Sequence, residues 1–253
     1  MTADAVEVWG LPLAPWTRQQ AADAVMERVR ARRPTYFITA NTHYAMLTHQ
    51  EPRLREVNER AAFLLADGAP LVLASRRSGT PLPERVAGSD LIYDIAGGAA
   101  RGGHSLFLLG GPPGIAQAAA DRLRALFPAL AIAGTACPDA DQLRGPGLID
   151  AIREARPDIL MVALGQPKGE FWIADHHELL GVPVSVQVGA TLEFVAGRVS
   201  RAPRWIQAIH MEWGYRLALE PARLGPRYAR NALFLARMIA RDAAGRPPRP
   251  AAT

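Results

Sequence analysis

The sequence of 253 residues holds one cysteine, Cys137. That scarcity excludes a disulfide framework and a cysteine-built zinc site, and it fits a reducing compartment. Long apolar runs are also missing. Nothing reaches the ~18 uninterrupted apolar residues that a membrane-crossing helix needs, so no span is expected. The opening Met1-Thr2-Ala3-Asp4 has no basic stretch followed by an apolar one, so no signal peptide is expected. The G-x-G-x-x-G fingerprint is absent, and no Walker lysine follows the Gly110-to-Gly114 turn, which disfavours an NAD-dependent oxidoreductase. No helix-turn-helix signature or aromatic-basic sheet motif exists, so nucleic acid is not expected as a partner.

What is present is a globular composition, 49% hydrophobic and 21% charged. The net charge of +5 is unevenly spread. From Arg198 onward, eleven arginines face Glu212, Glu220 and Asp242, a local balance of +8 that leaves −3 for the rest. Such a split points to an anionic partner for the tail: lipid headgroups, nucleic acid or a diphosphate. The plainer alternative is a solvated helix decorated with arginine.

Apolar runs alternate with helical segments. Val6–Trp9, Tyr36–Thr39, Phe63–Leu65, Leu106–Leu109, Leu130–Ala133, Ile159–Val162 and Val184–Val186 read as strands. Thr17 is placed to cap a helix through Arg32, with Ala21, Val25 and Val29 at four-residue spacing. This pattern predicts an α/β fold: a Rossmann-like, largely parallel sheet with helices on both faces, plus a C-terminal helical basic appendage. The expected organisation is an α/β core over residues 1–197, a helical membrane-proximal appendage over 198–243, and a disordered tail over 244–253. In such sheets ligands bind beyond the carboxyl ends of the strands. Asn41, Asp67, Gly110, Gln166 and Gly189 follow strands here, so one rim of the sheet is the candidate site.

Each candidate has a plainer reading. Asp67-Gly68 is a cleft carboxylate or a turn-forming pair. Asn41, two residues after Thr39, can hold hydroxyls or cap the next helix. Gly110 and Gly111 open a turn suited to phosphate or to simple strand-to-helix closure. Asp139-Ala140-Asp141 matches the D-x-D pattern of metal-using transferases, but either acid can equally cap a helix. His176 and His177 diverge by about 100° on a helix and read as surface residues.

Taken in order, the motifs resemble the WecG/TagA/CpsF family of bacterial glycosyltransferases, from Thr39 to Tyr228. They are Thr39-Ala40-Asn41, Asp67-Gly68, and Pro83-Glu84-Arg85-Val86-Ala87-Gly88-Ser89-Asp90-Leu91. Phe107-to-Gly111, Pro157-Asp158-Ile159 and Gly165-Gln166-Pro167-Lys168 follow. Ala196-to-Pro203 and Glu212-Trp213-Gly214-Tyr215-Arg216-Leu217, with Glu220-Pro221, complete the set. Each motif alone is weak, and their order together is specific.

The resemblance implies an inverting transferase that uses no metal and no cofactor. It would move a hexose or N-acetylhexosamine unit, of N-acetylmannosamine type, from a UDP-sugar to a polyprenyl-diphosphate-linked sugar. The pathway implied is cell-surface polysaccharide or teichoic acid assembly at the cytoplasmic face of the membrane. Asp67 would be the general base and Arg85 the cation that meets phosphate or acceptor. Substrate contacts are implied for Thr39, Asn41, Gly68, Ser89, Asp90, Gly110, Gly111, Gly165, Gln166, Pro167, Lys168, Glu170, Gly189 and Glu193. Arg201, Arg216, Arg223, Arg227 and Arg230 would meet the acceptor diphosphate or an anionic membrane surface.

Three positions depart from the family pattern. Gly169 stands where the family has glutamine, Pro70 replaces a glycine, and Glu193 replaces the commoner aspartate. A non-catalytic sugar-nucleotide-binding scaffold of the same pathway is the alternative. In the tail, Pro226 is placed to start a helix. Arg227, Arg230, Arg237 and Arg241 fall in one stripe about 80° wide, with Phe234 and Met238 in or beside it. That mixture suits an interfacial helix whose apolar groups enter the acyl boundary. Trp205, Ile209, Trp213 and Leu217 form a separate stripe for packing on the core or on a second subunit, so a homo-oligomer is an open expectation.

Overall fold

In the computed structural model, residues 4–77, 81–203, 206 and 211–244 are described. Strands β1 (Val6–Val8) and β2 (Leu11–Leu13) precede α1 (Arg18–Ala31). Next come β3 (Thr35–Ala40), α2 (Thr42–Gln50), α3 (Arg53–Arg60) and β4 (Leu64–Ala66). Then follow α4 (Ala69–Ser75), α5 (Gly88–Gly102), β5 (Ser105–Gly110), α6 (Ile115–Leu126) and β6 (Ala131–Ala136). The chain continues through α7 (Pro146–Ala155), β7 (Ile159–Ala163), α8 (Lys168–Leu180) and β8 (Val184–Gln187). Helices α9 (Thr191–Val195), α10 (Glu212–Leu219) and α11 (Pro221–Ala243) complete the described elements.

The strands form one sheet in the order β1-β2-β4-β3-β8-β7-β5-β6. Only β1 with β2 is antiparallel; the other neighbouring pairs are parallel. The expected α/β architecture is therefore present. Alternation along each strand sends side chains to two separate cores. Tyr36, Ile38, Leu64, Leu160 and Val162 join α2, α3 and α8 on one face. Phe37, Leu65, Ile159, Met161, Val184 and Val186 join α1, α5 and α6 on the other. Thr17 caps α1 as expected, in a reciprocal capping box with Gln20.

The strand order reverses between β3 and β8: β3 continues outward to β4, whereas the chain reaches β8 from β7 on the other side. Ligand crevices open at such a switch point, beyond the carboxyl ends of the strands.

Two tail expectations are corrected. Phe234 and Met238 do not face outward; they are buried in the core that also holds Trp9 and Tyr44. Phe234 meets the ring of Trp9 edge-on at 6.0 Å and that of His49 at 5.3 Å, so the apolar side of α11 covers protein. Trp9 Nε1 also donates to Asp242 at 3.1 Å. Pro226 lies inside α11, which starts at Pro221; the carbonyl four residues before Pro226 belongs to the exposed Ala222. Of the second stripe, Trp205 and Ile209 lie outside the described residues, Leu217 is half-buried and Trp213 is exposed. His177 is also corrected: it is buried edge-on against Tyr36 at 4.9 Å, while His176 stacks on Trp172.

Candidate active site

Backbone hydrogen bonds assemble the site from strand ends. Asp67 N donates to Ala40 O at 2.7 Å, which sets the residue after β4 beside the end of β3. Val86 N donates to Ala66 O at 2.8 Å, which brings Arg85 alongside the same strand end. Val188 N donates to Val162 O at 2.7 Å and turns the chain past β8. Above these ends lies a cavity of about 600 Å³, within the size range of small-molecule sites.

Thr39, Asn41, Asp67, Gly68, Arg85 and Ser89 line this cavity. Gly165, Gln166, Gly189, Glu193, Arg216 and Arg227 line it too, so most of the anticipated residues converge although they are scattered along the chain. Asn41 lines the cavity, and its Oδ1 accepts from Tyr44 N at 3.0 Å and caps α2, the plainer of its two readings. Thr39 donates from its hydroxyl to Gln187 O at 3.3 Å.

Other candidates stand elsewhere. Gly110 and Gly111 are not among the residues lining this cavity; a Cβ on Gly110 would stand 2.6 Å from Ala163 O, so this glycine lets β5 and β7 close up. Lys168 is exposed in the first turn of α8, and neither it nor Pro167 lines the cavity. Glu170 is buried beneath the wall. Arg230 is exposed on α11, and the side chain of Arg223 lies outside the described residues. Asp139 of the D-x-D pattern accepts from the backbone N–H groups of Asp141 and Gln142, so it caps a turn.

Asp67 carries the strongest electrostatic signature at the strand ends. Burial pushes its carboxyl up to about 7, and the charges of Asp90 and Glu212 push in the same direction. Arg85 and the Gly88 N–H, which donates to Oδ2 at 3.3 Å, pull it back. A carboxylate tuned near neutrality is suited to accepting a proton during a reaction.

Arg85 sits 3.7 Å from Asp90 and 3.9 Å from Glu212. Arg201 holds both acids more closely, contacting Asp90 directly and Glu212 at 3.3 Å. Arg201 thus takes up much of their charge and leaves Arg85 the looser partner, able to turn toward an incoming anion.

Several lining residues were not anticipated. His43, in the first turn of α2, bonds Asn231 of α11 at 3.0 Å. Burial, with Arg227 and Arg230 nearby, lowers its pKa to about 4, so it is neutral at physiological pH. Gln187, Glu212 and Tyr228 also line the cavity. His43 follows Asn41 by two residues, and that spacing from a strand end was the available signal. Arg216 stacks over Phe194 at 5.1 Å, which holds its guanidinium in the cavity wall.

Comparison with known proteins gives the family to which this chain is similar. Residues 6–247 match the glycosyl transferase WecG/TagA/CpsF family. One relative, the N-acetylglucosaminyldiphosphoundecaprenol N-acetyl-beta-D-mannosaminyltransferase of Bacillus spizizenii, is 33% identical over 188 residues, 74% of this chain and 72% of the relative. The protein of the same description from Bacillus subtilis is 30% identical over 185 residues, 73% and 72% of the two chains. That from Staphylococcus aureus is 29% identical over 190 residues, 75% and 74%.

Proposed function

The chain belongs to the WecG/TagA/CpsF family of glycosyl transferases, and we propose from this premise that it is an inverting, metal-independent hexosyltransferase. The donor is a UDP-sugar carrying an N-acetylmannosamine-type unit, and the acceptor is a sugar on a polyprenyl diphosphate. The product feeds cell-surface polysaccharide or teichoic acid assembly. The relatives' described acceptor and transferred sugar support this reading. The observation that carries it is Asp67, a carboxyl raised to about 7 at the floor of a cavity ringed by arginines.

In the proposed reaction the acceptor hydroxyl attacks the anomeric carbon, the glycosidic bond to phosphate breaks, and UDP leaves. Asp67 takes the hydroxyl proton, and the stereochemistry inverts because there is one displacement. Arg85 neutralises charge at the donor phosphates in place of a cation. Arg216 and Arg227 enter the cavity from α10 and α11 and meet the acceptor diphosphate. Thr39, Asn41 and Ser89 hold sugar hydroxyls.

The protein works on the inner face of the cell membrane as a peripheral protein. Among the described residues no helix is long and apolar enough to cross a membrane. Trp213, Leu219, Leu233 and Ile239 are exposed on α10 and α11, and Arg230 and Arg237 are exposed on α11. They replace Phe234 and Met238 as the groups that enter a bilayer surface. Self-association through these residues is the competing use, and sedimentation without lipid reads it.

The test is a panel of UDP-sugars with a short polyprenyl-diphosphate N-acetylglucosamine acceptor, read by product mass. A glycosylated product that disappears with Asp67→Asn supports the reading. No product with any donor favours the sugar-nucleotide-binding scaffold instead.

A further inference from the structure

Gly169, which stands where the family pattern has glutamine, is the second residue of α8 and is buried against β8. A Cβ at this position would lie 2.8 Å from both Cγ and Cδ of Gln187 and 3.1 Å from its Nε2. Such separations are too short for ordinary packing, so the space a side chain would take at 169 is already filled by Gln187.

Gln187 ends β8, is 3% exposed and lines the cavity. Its Oε1 accepts from Gly189 N at 3.0 Å, which fixes the orientation of the amide. The other end, Nε2, is buried and has no hydrogen-bond partner among the described residues. A buried donor left in this state is costly unless a ligand or water accepts from it.

The surroundings indicate what kind of oxygen would arrive. Gln166 Oε1, in the wall of the same cavity, is likewise buried without a partner. The Glu170 carboxyl is raised to about 8, chiefly by burial, so near neutral pH it is largely protonated. The two amides are uncharged, and the cation that Glu170 feels is Arg227 of the cavity wall. A diphosphate is better met by the cavity's arginines, whereas an uncharged sugar oxygen suits an amide donor.

We propose that Gln187, seated in the space that Gly169 leaves to it, determines specificity by donating from Nε2 to an oxygen of the transferred sugar. This rests on the reading of the cavity as a nucleotide-sugar site. It assigns to strand β8 an amide that the family pattern places on helix α8. Sequence inspection flags Gly169 as a loss, and the fold supplies the compensating residue.

Calorimetric titration with UDP and with UDP-N-acetylmannosamine tests the assignment on the full chain. The variants are Gln187→Leu, Gly169→Ala and the double change Gly169→Gln/Gln187→Ala, each titrated well below its own melting temperature. Gly169→Ala keeps the amide but displaces it, so its agreement with Gln187→Leu separates position from folding damage. Both single variants are expected to bind UDP as the unaltered chain does and UDP-N-acetylmannosamine about tenfold more weakly. The double change should recover most of that loss. Unchanged affinity for UDP-N-acetylmannosamine in Gln187→Leu, or equal weakening of both ligands, overturns the assignment. If the unaltered chain binds no UDP, the underlying reading falls and the inference falls with it.

Discussion

Asp67 and Arg227 line one cavity but arrive there by different routes. Asp67 is set by a hydrogen bond from its own backbone to the end of β3, and Arg85 by the neighbouring bond of Val86. Arg227 comes from a long helix held by packing, through Leu224, Phe234 and Met238, and by the His43–Asn231 contact. The first region is fixed by sheet register, which tolerates little displacement. The second depends on a side-chain interface, so its arginines can be displaced while the strand ends keep their geometry. In the proposed reaction, proton transfer falls to the rigid side and capture of the lipid-linked acceptor to the adjustable one.

The largest expected effect breaks the rigid side alone. Asp67→Asn should lower kcat by about a thousandfold while leaving UDP affinity unchanged in a titration. In the unaltered enzyme kcat/KM should rise with pH and level off above an inflection near 7, because the base works only after losing its proton. A flat profile between pH 5 and 9 would remove Asp67 from that role.

Phe234→Ala attacks the adjustable side. Truncation of a buried aromatic typically costs about 3 kcal/mol, to be read in denaturant melts. Activity of the remaining folded protein should fail first on the acceptor, with donor KM little changed. Equal loss on both substrates would mean that α11 is as rigidly coupled as the strand ends.

Smaller again is the double change Arg230→Ala/Arg237→Ala on the exposed surface of α11. At about 1 kcal/mol per basic residue, partition onto anionic liposomes should fall by roughly thirtyfold, with little change in melting. Undiminished sedimentation with liposomes would remove these arginines from the membrane contact.

The last effect is one of pH and concerns Glu170. Its carboxyl titrates near 4.5 when unfolded and at about 8 in the fold, so the folded state holds the proton more tightly. The resulting stability is present below the unfolded value and is lost as pH rises through about 8. Melting temperature should therefore decline steadily from pH 5 to pH 8.5, and Glu170→Gln should flatten that decline.

Much of the rim was legible because each apolar strand ends on a residue that cannot stay inside it. Asn41 after β3, Asp67 after β4 and Gly189 after β8 follow this rule, and all three line the cavity. Arg85 was legible through its motif, although its position depends on a hydrogen bond that no local pattern encodes. Gln187 was not legible. A polar residue closing a buried strand gives no sign of its use until Gly169, eighteen positions earlier, is seen to make room for it. The placement of Arg201 beside Asp90 and Glu212 was equally hidden, since its pairing spans 111 positions of chain.

Periodicity and motif order determined the class of fold, the strand-end site, the family and a basic helix at the end of the chain. Those properties follow from short-range patterns, because strand alternation and helix spacing express themselves within a few residues. Which side of that helix is buried was decided only by tertiary structure. On the wheel, Phe234 and Met238 fall in or beside the arginine stripe, and an apolar group seeks whatever apolar surface is offered, lipid or protein. Trp9, His49 and α2 supply that surface within the fold, and this leaves Trp213, Leu233 and the outer arginines to face whatever the protein meets.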